Sequence, residues 1–139
     1  MSIDAIFAAS RFGLDFERLR LEAASSNIAA ANTPAAPGQP AQFMRAVATY
    51  GGGVDAVGGE AGTAAMQASL VAINGPGREV HDPSDPMADK NGMVTYPKVD
   101  LVQEMSTLMD AERAYEANVR AFNTLRGMAL HSLDIGSGT

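Results

Sequence analysis

Residues 99–135 read VDLVQEMSTLMDAERAYEANVRAFNTLRGMALHSLDI. Asp100 suits a helix N-cap, and Gln103 stands three residues later, where a capping box places Glu or Gln. Behind that cap, steps of four and three mark Leu101, Met105, Leu108, Glu112, Tyr115, Val119, Phe122, Arg126, Ala129 and Leu133. Their mean spacing of about 3.5 residues is the period of a coiled-coil seam. The opposite face carries Asp110, Arg113, Glu116 and Arg120, with Glu116 and Arg120 a favourable i,i+4 pair. A long helix with one narrow apolar seam cannot bury that seam on itself. It requires a second helix.

The first 32 residues offer one. Four-three steps mark Ile3, Phe7, Ser10, Leu14, Glu17, Leu21, Ala24, Ile28 and Ala31 behind Ser2, a suitable N-cap. Gly13 weakens this helix by about 1 kcal/mol relative to alanine. Ser25, Ser26 and Asn27 are also mediocre helix formers, so the helix is expected to depend on its partner. It should end near Asn32, because Pro34 disfavours helical geometry at Thr33.

Between the two helices the chain changes character. TPAAPGQPAQ is a turn-rich linker, and YGGGVDAVGGEAG reads as near-flexible coil. QFMRAVATY between them suits a short strand. MQASLVAI alternates, with Met66, Ala68, Leu70 and Ala72 on one side and Val71 and Ile73 on the other. NGPG is a turn, REVH reads as its return strand, and MVTY as another strand. The expected fold is mainly α with a small β part: long N- and C-terminal helices paired as a coiled coil, with an irregular β-containing middle segment. The divisions fall at 1–33, 34–97 and 98–139.

Composition narrows the function. The 139 residues carry a net charge of −6, and lysine is limited to Lys90 and Lys98. That excludes the clustered basic surface nucleic acid requires. There is no cysteine, hence no disulfide framework or thiolate metal site. No apolar run approaches the roughly 20 residues of a membrane span, and the N-terminus has no secretory signal pattern. Aromatics are 6% of the chain and much of the apolar content is alanine, so a large globular core is not expected.

No catalytic constellation emerges. G-x-S-x-G, H-E-x-x-H and phosphate-cradling glycine motifs are missing from the sequence. His81, Asp82, Asp85, Asp89 and Asn91 resemble a cation loop in composition only. Their spacing is not that of an EF-hand, and Pro83 and Pro86 break the required path. The reading is a turn whose Asp side chains cap local amides. His131, late in the last helix, favours the negative end of its dipole when protonated. No enzymatic activity, cofactor or small-molecule substrate is expected.

Several stretches carry a resemblance. VDLVQEMSTLMDAERAYEANVRAFNT, preceded by DPMADKNGMVTYP, resembles the proximal-rod subunits of the bacterial flagellum. EAASSNIAAANTP, near the N-terminus, is similar to the signature of the wider family of flagellar rod, hook and hook-associated axial proteins. The run D-P-x-D-P-x-A-D-x-x-G-x-V-x-Y-P points to the proximal rod rather than to hook or distal rod. The chain departs from the pattern at Met93, where an aromatic is common, at Lys98, where Asn is common, in the more proline-rich loop at 34–40, and in the glycine-rich segment 51–62, which matches no family motif.

The resemblance implies a structural basal-body subunit that leaves the cytoplasm through the flagellar type III export apparatus without a cleaved signal. Its partners would be itself and other rod proteins in a helical assembly that transmits torque to the hook. The seam residues Ile3, Phe7, Leu14, Leu21, Ile28, Leu101, Met105, Leu108, Tyr115, Val119, Phe122 and Leu133 would form the intrachain pairing, the subunit interface, or both. Glu112 and Arg126 interrupt the seam, either as edge residues whose tips reach water or as intersubunit ion pairs that set register. The rival reading is a soluble helical-hairpin adaptor or export chaperone.

Overall fold

A computed structural model describes residues 3–50 and 66–137. The chain runs through helix α1 (Ile3–Ala30), strands β1 (Gln42–Tyr50), β2 (Met66–Asn74), β3 (Gly77–His81) and β4 (Met93–Pro97), and helix α2 (Leu101–Ser137). The fold is therefore mainly helical with a small antiparallel β part. Ser2 and the glycine-rich run at 51–62 lie outside the described residues, as does the side chain of Ile3 at the first helical position.

Local chemistry sets the helix ends. The Asp100 Oδ1 accepts the backbone N–H groups of Val102 at 3.1 Å and Gln103 at 3.2 Å, two of the donors that a helix start leaves without partners. At the other helix, the Thr33 N–H donates to the Ala30 carbonyl at 2.9 Å, closing a turn just ahead of Pro34. The Glu116–Arg120 pair forms at 3.1 Å on the exposed face of α2.

The two helices lie side by side and antiparallel. Phe7 meets Phe122 edge-on with ring centroids 5.6 Å apart. At the other end Asn27 reaches Glu104. Between these points Gly13 faces Asn118 so closely that a Cβ on Gly13 would stand 3.1 Å from the Asn118 Nδ2. The glycine that weakens α1 intrinsically thus admits its neighbour. Alanine plays the same part elsewhere: Ala23 and Ala24 of α1 and Ala111 of α2 are buried.

Strand pairing departs from the expectation that REVH returns along MQASLVAI. β2 instead pairs with β1, in continuous register from Gln42↔Asn74 to Tyr50↔Met66, and β3 pairs with β4, from Gly77↔Pro97 to His81↔Met93. The physical reason lies in the NGPG turn. The Gly75 N–H donates to the Ala41 carbonyl at 2.9 Å and the Lys98 N–H to the Pro76 carbonyl at 3.1 Å, so the turn's backbone is held by segments on both sides and does not fold back on itself. The Ala35 N–H donates to the Thr95 carbonyl at 2.8 Å, which ties the proline-rich linker to β4. Val94, Ala41 and Pro97 are buried at this junction. Arg78 lies over the Tyr96 ring at 5.4 Å.

β1 packs on α1 through one residue above all. Asn27 is buried, and its Oδ1 accepts the Met44 N–H at 2.7 Å while its Nδ2 donates to the Met44 carbonyl at 3.1 Å. The amide therefore acts as one rung of a third strand on the outer edge of β1. Replacing Asn27 with Ala leaves the N–H and carbonyl of Met44 without these partners. Asn27→Ala is expected to lower the unfolding free energy by about 2–3 kcal/mol. Urea titration followed by circular dichroism would measure it, and a loss below the scatter of that method would contradict the role assigned to Asn27.

Candidate assembly surface

The residues expected to form the seam have different environments. Phe7, Leu14, Leu21 and Ile28 of α1 are half-buried, as are Leu108, Val119 and Phe122 of α2. Leu101, Met105, Tyr115 and Leu133 are exposed. Glu112 and Arg126 are exposed as well. The covered face of α2 runs through Glu104, Leu108, Ala111, Ala114, Asn118, Phe122, Leu125 and Ala129. This face is turned about one residue toward the N-terminus from the line drawn through the largest side chains. Close approach explains the turn, because Ala111, Ala114 and Ala129 let α1 come near where Tyr115 would hold it off.

Beside Met66, Val71 and Met87 of the middle segment and Tyr115 of α2, the exposed large apolar groups lie toward the two ends of α2. Leu101, Val102, Met105 and Met109 expose their side chains near its start, and Met128, Leu130, Leu133 and Ile135 do so near its end. Met105 is 55% exposed and Ile135 76%. Scattered apolar side chains are ordinary on a monomer, whereas clusters on one element mark interaction surfaces.

Next to the first cluster, α1, the β1–β2 hairpin and the start of α2 enclose an open cleft of about 590 Å³. Phe16, Phe43 and Ile73 line it together with Arg20, Arg45, Lys98 and Glu104. Several of its polar groups already have partners. Arg20 binds Glu17 at 2.8 Å, Glu104 accepts from Asn27 at 3.3 Å, and Asp100 caps α2.

The acidic loop between β3 and β4 is a chain of local caps. The Asp82 Oδ1 accepts the Ser84 N–H at 3.1 Å and hydroxyl at 2.6 Å, the Asp85 Oδ1 accepts the Met87 N–H at 2.8 Å, and the Asp89 Oδ1 accepts the N–H groups of Asn91 and Met93, both at 2.8 Å. Gly92 takes a φ of 73°, a left-handed value that suits glycine. Hydrogen bonds from the side chain and backbone of Ser84 hold the Asp82 carboxyl below its ordinary range, and bonds from the Met93 and Asn91 amides do the same for Asp89. Among the described residues no group of three His, Asp or Glu side chains could hold a metal ion, and no helix is long and apolar enough to cross a membrane.

One important residue escaped the sequence reading. Asn27 reads there as a weak helix former and as one residue of the EAASSNIAAANTP stretch, yet it joins α1, β1 and α2. Its signal was an amide set among Ala23, Ala24 and Ile28, on a stretch otherwise suited to burial.

Comparison with known proteins follows this geometry. Residues 90–135, comprising the end of the acidic loop, β4 and nearly all of α2, match the family described as the C-terminal region of the flagellar basal-body rod FlgEFG proteins. Paired helices with surplus apolar surface thus coincide with a class of structural rod proteins. The chain is 36% identical over 137 residues to the flagellar basal-body rod protein FlgC of Salmonella typhimurium strain LT2, covering 98% of this chain and 99% of that one. To the FlgC of Agrobacterium fabrum strain C58 it is 32% identical over 139 residues, covering 96% of each chain. To the FlgC of Bacillus subtilis strain 168 it is 31% identical over 140 residues, covering 91% and 93%. The chain belongs to the flagellar basal-body rod protein FlgC family.

The lowered carboxyls give a pH prediction. A depressed folded-state value means the caps contribute fully above the ordinary value of 3.8 and lose their contribution as pH falls below it through the folded values. The amide protons of Ser84, Asn91 and Met93 are expected to lose exchange protection over that acid range. Asp89→Asn should weaken protection at Asn91 and Met93 near neutral pH while leaving Ser84 unchanged. Amide exchange read by NMR would show this, and equal loss at all three would contradict independent caps.

Proposed function

We propose that the protein is a structural subunit of the proximal rod, polymerising helically through its terminal helices into the drive shaft that transmits torque to the hook. The observation carrying this reading is the end-to-end likeness to FlgC proteins, combined with a second helix that exposes many of its large apolar groups toward its two ends. The seam residues serve two ends in this reading. Phe7, Leu14, Leu21, Ile28, Leu108, Val119 and Phe122 hold the helices together, and Leu101, Met105, Tyr115 and Leu133 meet neighbouring rod subunits. Ile3 belongs to the same seam by sequence. The terminal stretches 1–33 and 98–139 form the axial part, and 34–97 sets the outer packing.

The subunit reaches its place through the flagellar type III export apparatus. A thin core suits such a route. Among the described residues Val94 is the largest fully buried side chain, so unfolding for passage forfeits little packing. The negative net charge opposes association before delivery.

Electron cryotomography of cells lacking the gene tests the proposal. The export apparatus and the base should remain while rod and hook are missing, and a plasmid copy should restore both. Complete flagella in the deletion strain would overturn it.

A further inference from the structure

The open cleft between α1, the β1–β2 hairpin and the start of α2 carries two cations that the chain does not neutralise. Phe16, Phe43 and Ile73 give the cleft its apolar surface. Arg45 and Lys98 line it too, both are exposed, and neither forms an ion pair among the described residues. The other charged groups there are engaged: Arg20 pairs with Glu17, Asp100 caps α2 and Glu104 accepts from Asn27. What remains is apolar surface beside two unpaired cations. Its complement is an acidic segment that carries an apolar side chain of its own.

The chain presents one such segment. The loop between β3 and β4 holds Asp82, Asp85 and Asp89 against Lys90. Met87, set among these carboxylates, is 42% exposed. Asp82 and Asp85 each cap the loop through Oδ1, so the Oδ2 of each has no hydrogen bond among the described residues. The caps hold the loop in shape beforehand, which lowers the ordering cost of docking. Loop and cleft cannot meet within one chain. Pro76 and Lys98 line the cleft, and from there β3 and β4 lead to the loop as a paired ladder of five residues. That ladder keeps the two about 16 Å apart.

We propose that the acidic loop of one copy docks into this cleft on a second copy. Met87 lies against Phe16, Phe43 and Ile73, and the carboxylates of Asp82 and Asp85 face Arg45 and Lys98. The proposal rests on the rod reading above and adds to it a contact made by the middle segment. The contact joins two different patches and does not close on itself, so it propagates from copy to copy. It also sets opposite charges together in a chain whose net charge of −6 otherwise makes two copies repel.

The test places a photoreactive p-benzoylphenylalanine at position 87 of the full chain, in cells lacking the unmodified copy. After irradiation, basal bodies are purified and the adduct is mapped by mass spectrometry. The expected adduct has twice the mass of the chain and joins position 87 to cleft residues at 16–20, 43–46, 73–76 or 98–104. An adduct on another rod component, on a different part of this chain, or no adduct in a chain that is present in basal bodies, overturns the docking and leaves the rod reading intact. Absence of the unsubstituted chain from basal bodies overturns both. In a second arm, Arg45→Glu combined with Lys98→Glu sets like charges against Asp82 and Asp85 and should reduce recovery with basal bodies about tenfold. The monomer's unfolding midpoint should not change, because neither side chain has an ion-pair partner within the chain. Undiminished recovery would overturn the docking.

Discussion

A single buried amide ties this molecule together. Asn27 donates and accepts at Met44 and donates again to Glu104, so one side chain joins the first helix, the first strand and the last helix. A buried amide is costly unless its donors and acceptor are matched, and here each finds a partner. The geometry is exacting for the same reason. A helix packed on apolar contacts alone can slide along its neighbour at modest cost, whereas a bonded amide fixes both axial position and rotation. The relative placement of hairpin and helices follows from it.

Around that point the interior is built from small groups. Ala23, Ala24 and Ala111 are buried, Gly13 meets Asn118, and many of the larger apolar side chains of α2 are exposed toward its two ends. Close backbone approach and large buried volume are alternatives. The chain leans on the first, and leaves many of the larger apolar groups of α2 at its surface. Leu101, Met105 and Leu133 are among those left exposed. Their exposure is intelligible in a protein from a family of rod components.

Much of the fold was legible because it rests on local rules. The Asp100 cap, the end of α1 before Pro34, the strands at 42–50 and 66–74, and the Asp-capped acidic loop all follow from residues within a few positions of one another. Three features depend on partners distant in sequence and were hidden for that reason. The pairing of β1 with β2 rather than β2 with β3 depends on how Ala41 and Lys98 grip the turn. The rotation of the α2 face depends on alanines that a pattern weighted by side-chain size passes over. The use of Asn27 depends on Met44 and Glu104, neither of which is near it in the chain. The likeness of the terminal stretches to axial proteins gave the family directly, and residue periodicity alone would have stopped at a helical pair.

The span between Asn27 and Glu104 also orders events in time. During synthesis α1 and the β1–β2 hairpin are complete long before residue 104 exists, and until then α1 lacks the helix that covers one of its faces. Contacts of such separation carry a loop-closure cost before they return any stabilisation. The chain therefore spends most of its own making in an unfinished form, and its last third completes the structure. A fold that closes late leaves its first helix without a cover until synthesis is nearly done.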